Sequence, residues 1–304
     1  MTSGTLVAGC TLIAFSPTAT LFFILVRKKA QLVIIVTISA FAFLLSYLTA
    51  SSIWIILPQS IQSSPFTLIP IGVFSQFLLR LLYVRLYFKI EQIIHTSLHR
   101  MRMRARRSNS DSNSNSNSNI NNSNDETDEE TLLHFELNDW ICGIASGIGF
   151  GGTHSILLYG TLLTSEAGNL GTLYQPSCPA IPSLLLSAIN AFLFSILDMI
   201  LMLFTFDGVR KQNHAESASV SISASTSATY YFRQSNGPGV RILLYSLCFH
   251  LGAAFVTAIN STNNGCLYSV PSLFIIVISC FFFFRVYIFP NFGGNRFGDM
   301  EHMD

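Results

Sequence analysis

The sequence predicts an all-α integral membrane protein, a bundle of seven transmembrane helices with an outside or lumenal amino terminus and a cytoplasmic carboxyl terminus. Of its 304 residues, 50% are hydrophobic and only 11% are charged, whereas soluble domains carry about 25% charged residues. Seven apolar segments are each long enough to cross about 30 Å of hydrocarbon as a helix. The basic residues lie almost entirely on one side of these segments. This composition excludes a soluble enzyme and a nucleic-acid-binding protein.

The seven predicted spans form a single membrane domain that comprises the whole chain, 1–304. They cover residues 4–26, 32–57, 68–88, 139–163, 182–206, 240–260 and 268–289. The first is interpreted as a retained span, because residues 1–5 contain no basic residue and the apolar stretch is too long for a signal peptide.

The distribution of basic residues predicts the orientation. Of the 17 Lys and Arg residues, 15 follow spans one and three, lie between spans five and six up to the start of span six, or close span seven, and the other two, Arg80 and Arg85, lie within span three. The loops on the opposite side therefore contain no Lys or Arg. Because basic residues concentrate in cytoplasmic loops, the amino terminus is predicted to be outside.

Two long segments between the spans are predicted to lack a packed core. Residues 99–131 combine a basic run, an Asn/Ser repeat and an acidic run, which is typical of a disordered cytoplasmic loop. Residues 212–239 are rich in Ser, Ala and Thr and indicate a flexible cytoplasmic linker.

The fourth span carries a regular series of small residues. Gly143, Gly147, Gly151 and Ser155 recur every four residues, so they lie along one face of the helix. Such a face lets a second helix approach closely, and close packing is what drives helix association in lipid. We therefore predict a helix-packing face. Its partner is either another helix of this bundle or a helix of another protein, and both remain open.

Five ionisable residues within the spans are expected to face the bundle interior or to reach its ends, because each is costly in hydrocarbon. Arg85 lies near the cytoplasmic end of span three, where its side chain can reach the interface. At about 1.5 Å per residue from the cytoplasmic ends, Arg80 and Asp198 lie about 12 Å deep and His250 about 15 Å. These three are predicted to form a buried polar layer. His154, about 22 Å deep on the same count, is expected to hydrogen-bond a neighbouring helix.

No catalytic residue is predicted. Asp198 is the only acid deep within a span, whereas an aspartyl protease needs two carboxylates in one site. Neither the HExxH nor the GxSxG motif occurs. A seven-span signalling receptor is the alternative, since it shares the outside amino terminus. Against a receptor, residues 81–89 contain no Asp-Arg pair and span seven has no Asn-Pro-x-x-Tyr.

Cysteine spacing predicts no metal or redox site, because no pair among the six cysteines has the CxxC spacing. Only Cys178 and Cys266 fall in loops on the oxidising side, where a disulfide can persist. They are a candidate disulfide, with two unrelated free thiols as the alternative. No cofactor is expected.

Short motifs in spans one to five, together with a histidine in span six, resemble those of one known family. They are Gly9-Cys10-Thr11, Ala14-Phe15 and Pro17; Ser51-Ser52-Ile53-Trp54; Gln76, Arg80 and Arg85; Ser146-Gly147-Ile148-Gly149-Phe150-Gly151; and Phe206-Asp207-Gly208, with His250 in span six. In these residues, and through all seven spans, the sequence resembles the anterior pharynx-defective family, the seven-span scaffold subunit of γ-secretase.

The resemblance implies a membrane scaffold with no catalysis of its own. The family pairs with nicastrin and then holds presenilin, the catalytic subunit, and the presenilin enhancer subunit. That complex cleaves type I membrane proteins within the bilayer and acts in protein processing and Notch signalling. The implied location is the membranes of the endoplasmic reticulum, the Golgi and the plasma and endosomal system, in contact with lipids and not with nucleic acid.

Two positions depart from the family pattern. Asp198 stands where the family has a histidine, nine residues before the Asp-Gly pair of span five. Ser155 stands at the position of the family's third glycine, and Gly143 is an additional small residue. For Asp198, the family position favours His250 as partner and the depth count favours Arg80. His250 and Arg80 are therefore both possible partners of Asp198, and His250 is preferred.

Overall fold

Seven long apolar helices dominate a computed structural model, which describes residues 2–62, 65–112, 139–166, 174–175, 178–222, 237–262 and 264–289. The prediction of a seven-helix membrane protein is confirmed. The segments long and apolar enough to cross a membrane are Gly4–Val26, Ala30–Ile56, Phe66–Ile94, Trp140–Ser165, Ser183–Asn213, Pro238–Ala258 and Cys266–Ile288. These are named spans one to seven below.

Helical backbone suits these segments because a helix satisfies its own peptide groups where water is absent. The α-helices are Thr2–Leu21, Ala30–Ile56, Gln59–Gln62, Pro65–Ser112, Asp139–Ser155, Thr161–Glu166, Ser183–Ile222, Pro238–Ala258 and Cys266–Phe283. Spans one, four and seven each contain a π-helical turn, at Phe22–Val26, Ile156–Gly160 and Phe284–Ile288. A 3-10 turn, Ile259–Ser261, ends span six.

Two helices continue well beyond the membrane segments, which corrects part of the predicted disorder. The helix of span three runs to Ser112, so residues 99–112 are helical. The helix of span five runs to Ile222, so the predicted linker is helical over residues 212–222. A helix already nucleated in the membrane propagates readily, and residues 100–107 are rich in the helix formers Arg, Met and Ala. Residues 113–131 and 223–236 lie outside the described residues.

Spans four and five form the centre of the bundle. In their most apolar stretch of 18 residues, 61% and 67% of the residues are buried, against 22–33% in the other five spans. Span five contributes to all three clusters of buried apolar side chains, through Met202, Leu197 and Leu184 respectively. The spans that carry the small-residue face and Asp198 are therefore also the core of the fold.

A short hairpin joins span four to span five. Strand β1, Tyr174–Gln175, pairs antiparallel with strand β2, Cys178–Pro182, and span five begins directly after β2. The chain crosses the bundle four times, through spans one to four, before it reaches the hairpin, so the hairpin lies at the same end of the bundle as the amino terminus. On the predicted orientation this is the outer side.

The orientation stays a prediction and is directly testable. We expect a tag at the amino terminus to be digested by protease added outside intact cells, and a tag at Asp304 to be protected, because the basic residues mark the cytoplasmic side. Sealed vesicles of inverted orientation provide the control, since they should reverse the result. Two termini on the same side would contradict a seven-span topology.

Candidate functional site: a helix-packing face and a buried polar layer

The small-residue face of span four packs on span five of the same chain. A Cβ atom added to Gly147 would lie 2.7 Å from the Cα atom of Met199. A Cβ atom added to Gly151 would lie 2.7 Å from the carbonyl oxygen of Ser195. Both neighbouring atoms are backbone and cannot rotate away, so a side chain at either glycine requires the two helices to separate.

The two outer positions of the face continue the same contact. A Cβ atom added to Gly143 would lie 2.8 Å from a methyl carbon of Leu203. The Ser155 hydroxyl donates a hydrogen bond of 3.1 Å to the carbonyl oxygen of Ala191. Residues 143, 147, 151 and 155 therefore face residues 203, 199, 195 and 191 in antiparallel order, with a spacing of four on both helices. Of the two alternatives for the partner, the structure shows a helix of the same bundle.

The opposite face of span four approaches span two. A Cβ atom added to Gly149 would collide with the Ser39 hydroxyl and with the carbonyl oxygen of Val36. Gly149 lies about 200° around the helix from Gly147, at about 100° per residue. Span four is thus held between spans two and five by glycines on opposite faces.

The buried polar layer is centred on Asp198. The Nη2 atom of Arg80, in span three, donates to Oδ1 of Asp198 at 2.6 Å. The Nδ1 atom of His154, in span four, lies 2.7 Å from Oδ2 of the same carboxylate. Arg80 and Asp198 are fully buried, and His154 is buried. One carboxylate therefore connects spans three, four and five.

The preference for His250 as the partner of Asp198 is wrong. Both carboxylate oxygens are bonded to other residues, and the buried Nδ1 atom of His250 has no hydrogen-bond partner among the described residues. His250 is nevertheless buried on span six, which packs against spans three and five. It belongs to the interior of the bundle without bonding the carboxylate.

The prediction that His154 lies deeper than the polar layer is wrong, because the predicted ends of spans three and five were too early. Spans three and five end at Ile94 and Asn213, six and seven residues beyond the predicted ends. Recounting from the ends in the structure puts Arg80, His154, Asp198 and His250 at about 21, 21, 22 and 18 Å. All four lie at one level of the bundle.

Aromatic rings enclose the charged groups. The Cζ atom of Arg80 lies 5.1 Å from the centre of the Phe150 ring. The imidazole of His154 lies between Phe43 and Phe194, with ring centres 5.1 and 5.2 Å away. Such walls exclude water and strengthen the attraction between Arg80 and Asp198, while they also raise the cost of an unpaired charge.

Two other predicted polar residues of span three lie apart from the carboxylate. Gln76 is one helical turn before Arg80, and its buried Oε1 atom has no hydrogen-bond partner in the described part of the chain. Arg85 is exposed on the helix surface, in keeping with the expectation that its side chain reaches the interface.

Two interhelical contacts were not predicted from the sequence. The Tyr83 and Ser146 hydroxyls are 2.8 Å apart, and Ser146 donates to the carbonyl oxygen of Cys142, so Tyr83 donates to Ser146. A Cβ atom on Gly239 would lie 2.5 Å from the carbonyl oxygen of Gly208, where spans five and six cross. Ser146 and Gly208 belong to the short family motifs named in the sequence analysis, so the sequence did contain a signal for both contacts.

The candidate disulfide is present in the structure. Cys178, the first residue of β2, is bonded to Cys266, the first residue of the helix of span seven. This bond connects the hairpin to the start of the last span. The alternative of two free thiols is not what the structure shows. In the described part of the chain, no cluster of three or more His, Cys, Asp or Glu residues suits a metal ion.

The disulfide is expected to be detectable by thiol labelling. We expect Cys178 and Cys266 to resist alkylation in the denatured, unreduced protein and to be alkylated after reduction, because the bond leaves no free thiol. Peptide mass spectrometry identifies the labelled residues. Cys248, which is free and exposed, is the internal control and should be labelled in both samples. Labelling of Cys178 without reductant would contradict the bond.

Sequence comparison adds an independent observation to this geometry. The sequence model of the Aph-1 protein family matches residues 5–288. The chain belongs to the Aph-1 family. One relative of this family member is the gamma-secretase subunit APH1-like protein of Arabidopsis thaliana. It is 24% identical over 271 residues, which cover 88% of the present chain and 86% of that protein. The resemblance noted in the short motifs is therefore confirmed, and all the residues described above lie within the matched region.

Proposed function

We propose that this Aph-1 family member is a non-catalytic scaffold subunit of a γ-secretase complex. The observation that carries the proposal is that Asp198, the fully buried acid among the described residues, has hydrogen-bond partners at both of its oxygens. Asp198 is hydrogen-bonded at both oxygens, to Arg80 and to His154. An aspartyl protease needs two carboxylates that share a site and a proton. A carboxylate committed to an arginine and a histidine serves as a structural link between three helices.

The distribution of burial supports an assembling role. Spans four and five are largely covered, whereas spans one, two, three, six and seven leave most of their apolar residues uncovered within the chain. A rigid centre with outward faces on five helices is suited to holding other membrane subunits. The proposed partners are presenilin, nicastrin and the presenilin enhancer subunit, in contact with membrane lipids and without nucleic acid.

The proposed location follows from that complex. The chain would assemble in the endoplasmic reticulum and pass with the complex through the Golgi to plasma and endosomal membranes. There the complex would cleave type I membrane proteins within the bilayer, including those of Notch signalling, with both catalytic carboxylates contributed by presenilin.

Affinity purification of the tagged full chain in mild detergent tests the proposal. We expect presenilin and nicastrin homologues to be recovered, and their recovery to fall when Gly147 or Gly151 is replaced by leucine. The variant Gly72→Leu is a matched control, since nothing lies within 4 Å of a Cβ atom at that glycine. Recovery of a heterotrimeric G protein in place of these subunits would favour the receptor alternative and contradict the scaffold. Membership of the Aph-1 family favours the scaffold.

A further inference from the structure

A cavity of about 550 Å³, lined by polar and apolar side chains, opens between spans four, five and six at the end of the bundle that carries the hairpin. This volume is within the range of about 300–1,000 Å³ that is typical of small-ligand sites. Ser165 is the last residue of span four and Ser183 the first of span five, so the cavity lies at the membrane boundary. Its lining residues are Leu158, Thr161, Leu162, Ser165, Ser183, Leu186, Ser187, Asn190, Thr257 and Asn260.

Three hydroxyls that line the cavity are available as hydrogen-bond acceptors. The hydroxyls of Thr161, Ser165 and Thr257 donate to carbonyl oxygens of their own helices, those of Leu157, Leu162 and Ala254. Each hydroxyl oxygen keeps lone pairs that can accept a further bond.

Asn190 contributes a stronger signal. Its Oδ1 atom is buried and has no hydrogen-bond partner among the described residues. A buried amide oxygen without a partner costs about 1–3 kcal/mol, so a turn of the Asn190 amide towards a donor in the cavity would be favourable. The amide nitrogen of the same side chain can donate in return.

The charge of the cavity selects among possible donors. None of the ten lining residues is ionisable, and seven of them are Ser, Thr or Asn. A cationic ligand would find no carboxylate and an anionic one no Lys or Arg, so burial of either charge would be uncompensated. A neutral molecule with several hydroxyl groups suits both the hydroxyl acceptors and the absence of charge among the lining residues. The leucines at 158, 162 and 186 supply the apolar part of the surface, against which C–H groups can pack.

We propose that this cavity binds a neutral, polyhydroxylated group, namely the sugar headgroup of a membrane glycolipid. The position at the membrane boundary favours a headgroup over a soluble sugar, because the attached chains would remain in the bilayer beside span four. The proposal is independent of the scaffold function, since no subunit contact enters the argument.

Lipid retention by the purified full chain tests this site. The chain is reconstituted in nanodiscs that contain glucosylceramide and phosphatidylcholine in equal amounts, and the lipid retained after extraction is measured by native mass spectrometry. We expect preferential retention of glucosylceramide. The variants Asn190→Leu and Thr257→Val should each lower that retention about fivefold, which corresponds to one lost hydrogen bond.

The controls separate binding from folding and the lipid from a free sugar. Thr37→Val makes the same chemical change on the exposed surface of span two and should leave retention unchanged. Thr257→Val keeps side-chain volume, so it remains informative where Asn190→Leu fails to fold. Equal retention of both lipids by the unmodified chain would overturn the proposal, as would full retention by a folded double variant. Displacement of glucosylceramide by free glucose would overturn the assignment to a lipid and assign the cavity to a soluble sugar.

Discussion

Replacement of Gly147 or Gly151 by leucine is expected to separate spans four and five and to unfold the centre of the bundle. The Cβ atom alone would lie 2.7 Å from Met199 Cα or from the Ser195 carbonyl oxygen, and leucine adds three further carbons. Overpacking of a core usually costs about 1–3 kcal/mol. Here the obstacle is backbone, so we expect a cost at or above the upper end of that range.

Thermal unfolding and yield of the purified chain measure the effect without any partner subunit. Gly72→Leu makes the same substitution in span three, where a Cβ atom has nothing within 4 Å, and should leave both quantities near those of the unmodified chain. Alanine in place of leucine should give a smaller loss in the same order. Unchanged unfolding in Gly147→Leu and Gly151→Leu would show that the two helices do not meet at this face.

The packing face illustrates what helical spacing can and cannot predict. Four small residues at intervals of four define a face from geometry alone, and the structure shows that face in use. Its partner was not predictable, because the facing residues of span five include Leu203 and Met199, which show no pattern of small residues. The second contact, between Gly149 and span two, was missed because a single glycine has no periodicity.

The polar layer was predicted in part. Arg80 and Asp198 were placed at one depth by counting, and that count correctly favoured their pairing. The family position pointed to His250, but in this chain the imidazole that bonds the span-five residue comes from His154 of span four. Arg80 and Asp198 were set too shallow, and His154 therefore appeared deeper than the layer, because spans three and five end six and seven residues beyond their predicted ends. An apolar composition indicates which residues lie in the hydrocarbon. A helix continues as far as its backbone hydrogen bonds do, so it can extend beyond those residues.

The second large effect is expected from breaking the pair of Arg80 and Asp198. The variant Asp198→Asn keeps the shape of the side chain but leaves the Arg80 guanidinium buried without a counter-charge. Removal of one partner of a buried ion pair costs about 3–5 kcal/mol, more than replacement of both partners. We expect Asp198→Asn and Arg80→Met each to lower the stability of the purified chain by that amount.

A double-mutant cycle distinguishes this pair from the alternative partner. The double variant Arg80→Met/Asp198→Asn is expected to be less destabilised than the sum of the single variants, by about 2 kcal/mol or more, because neither charge is then left unpaired. The cycle of Asp198→Asn with His250→Ala should be closer to additive, since these residues form no hydrogen bond in the structure. Lys211→Gln breaks the pair of Lys211 with the buried Asp207, in which the lysine is partly exposed, and serves as a comparison with an expected loss smaller than that of Asp198→Asn. Additive losses for Arg80 and Asp198, with strong coupling between Asp198 and His250, would contradict the observed layer. Loss of substrate cleavage by a fully assembled complex carrying Asp198→Asn would contradict a purely structural role for the carboxylate.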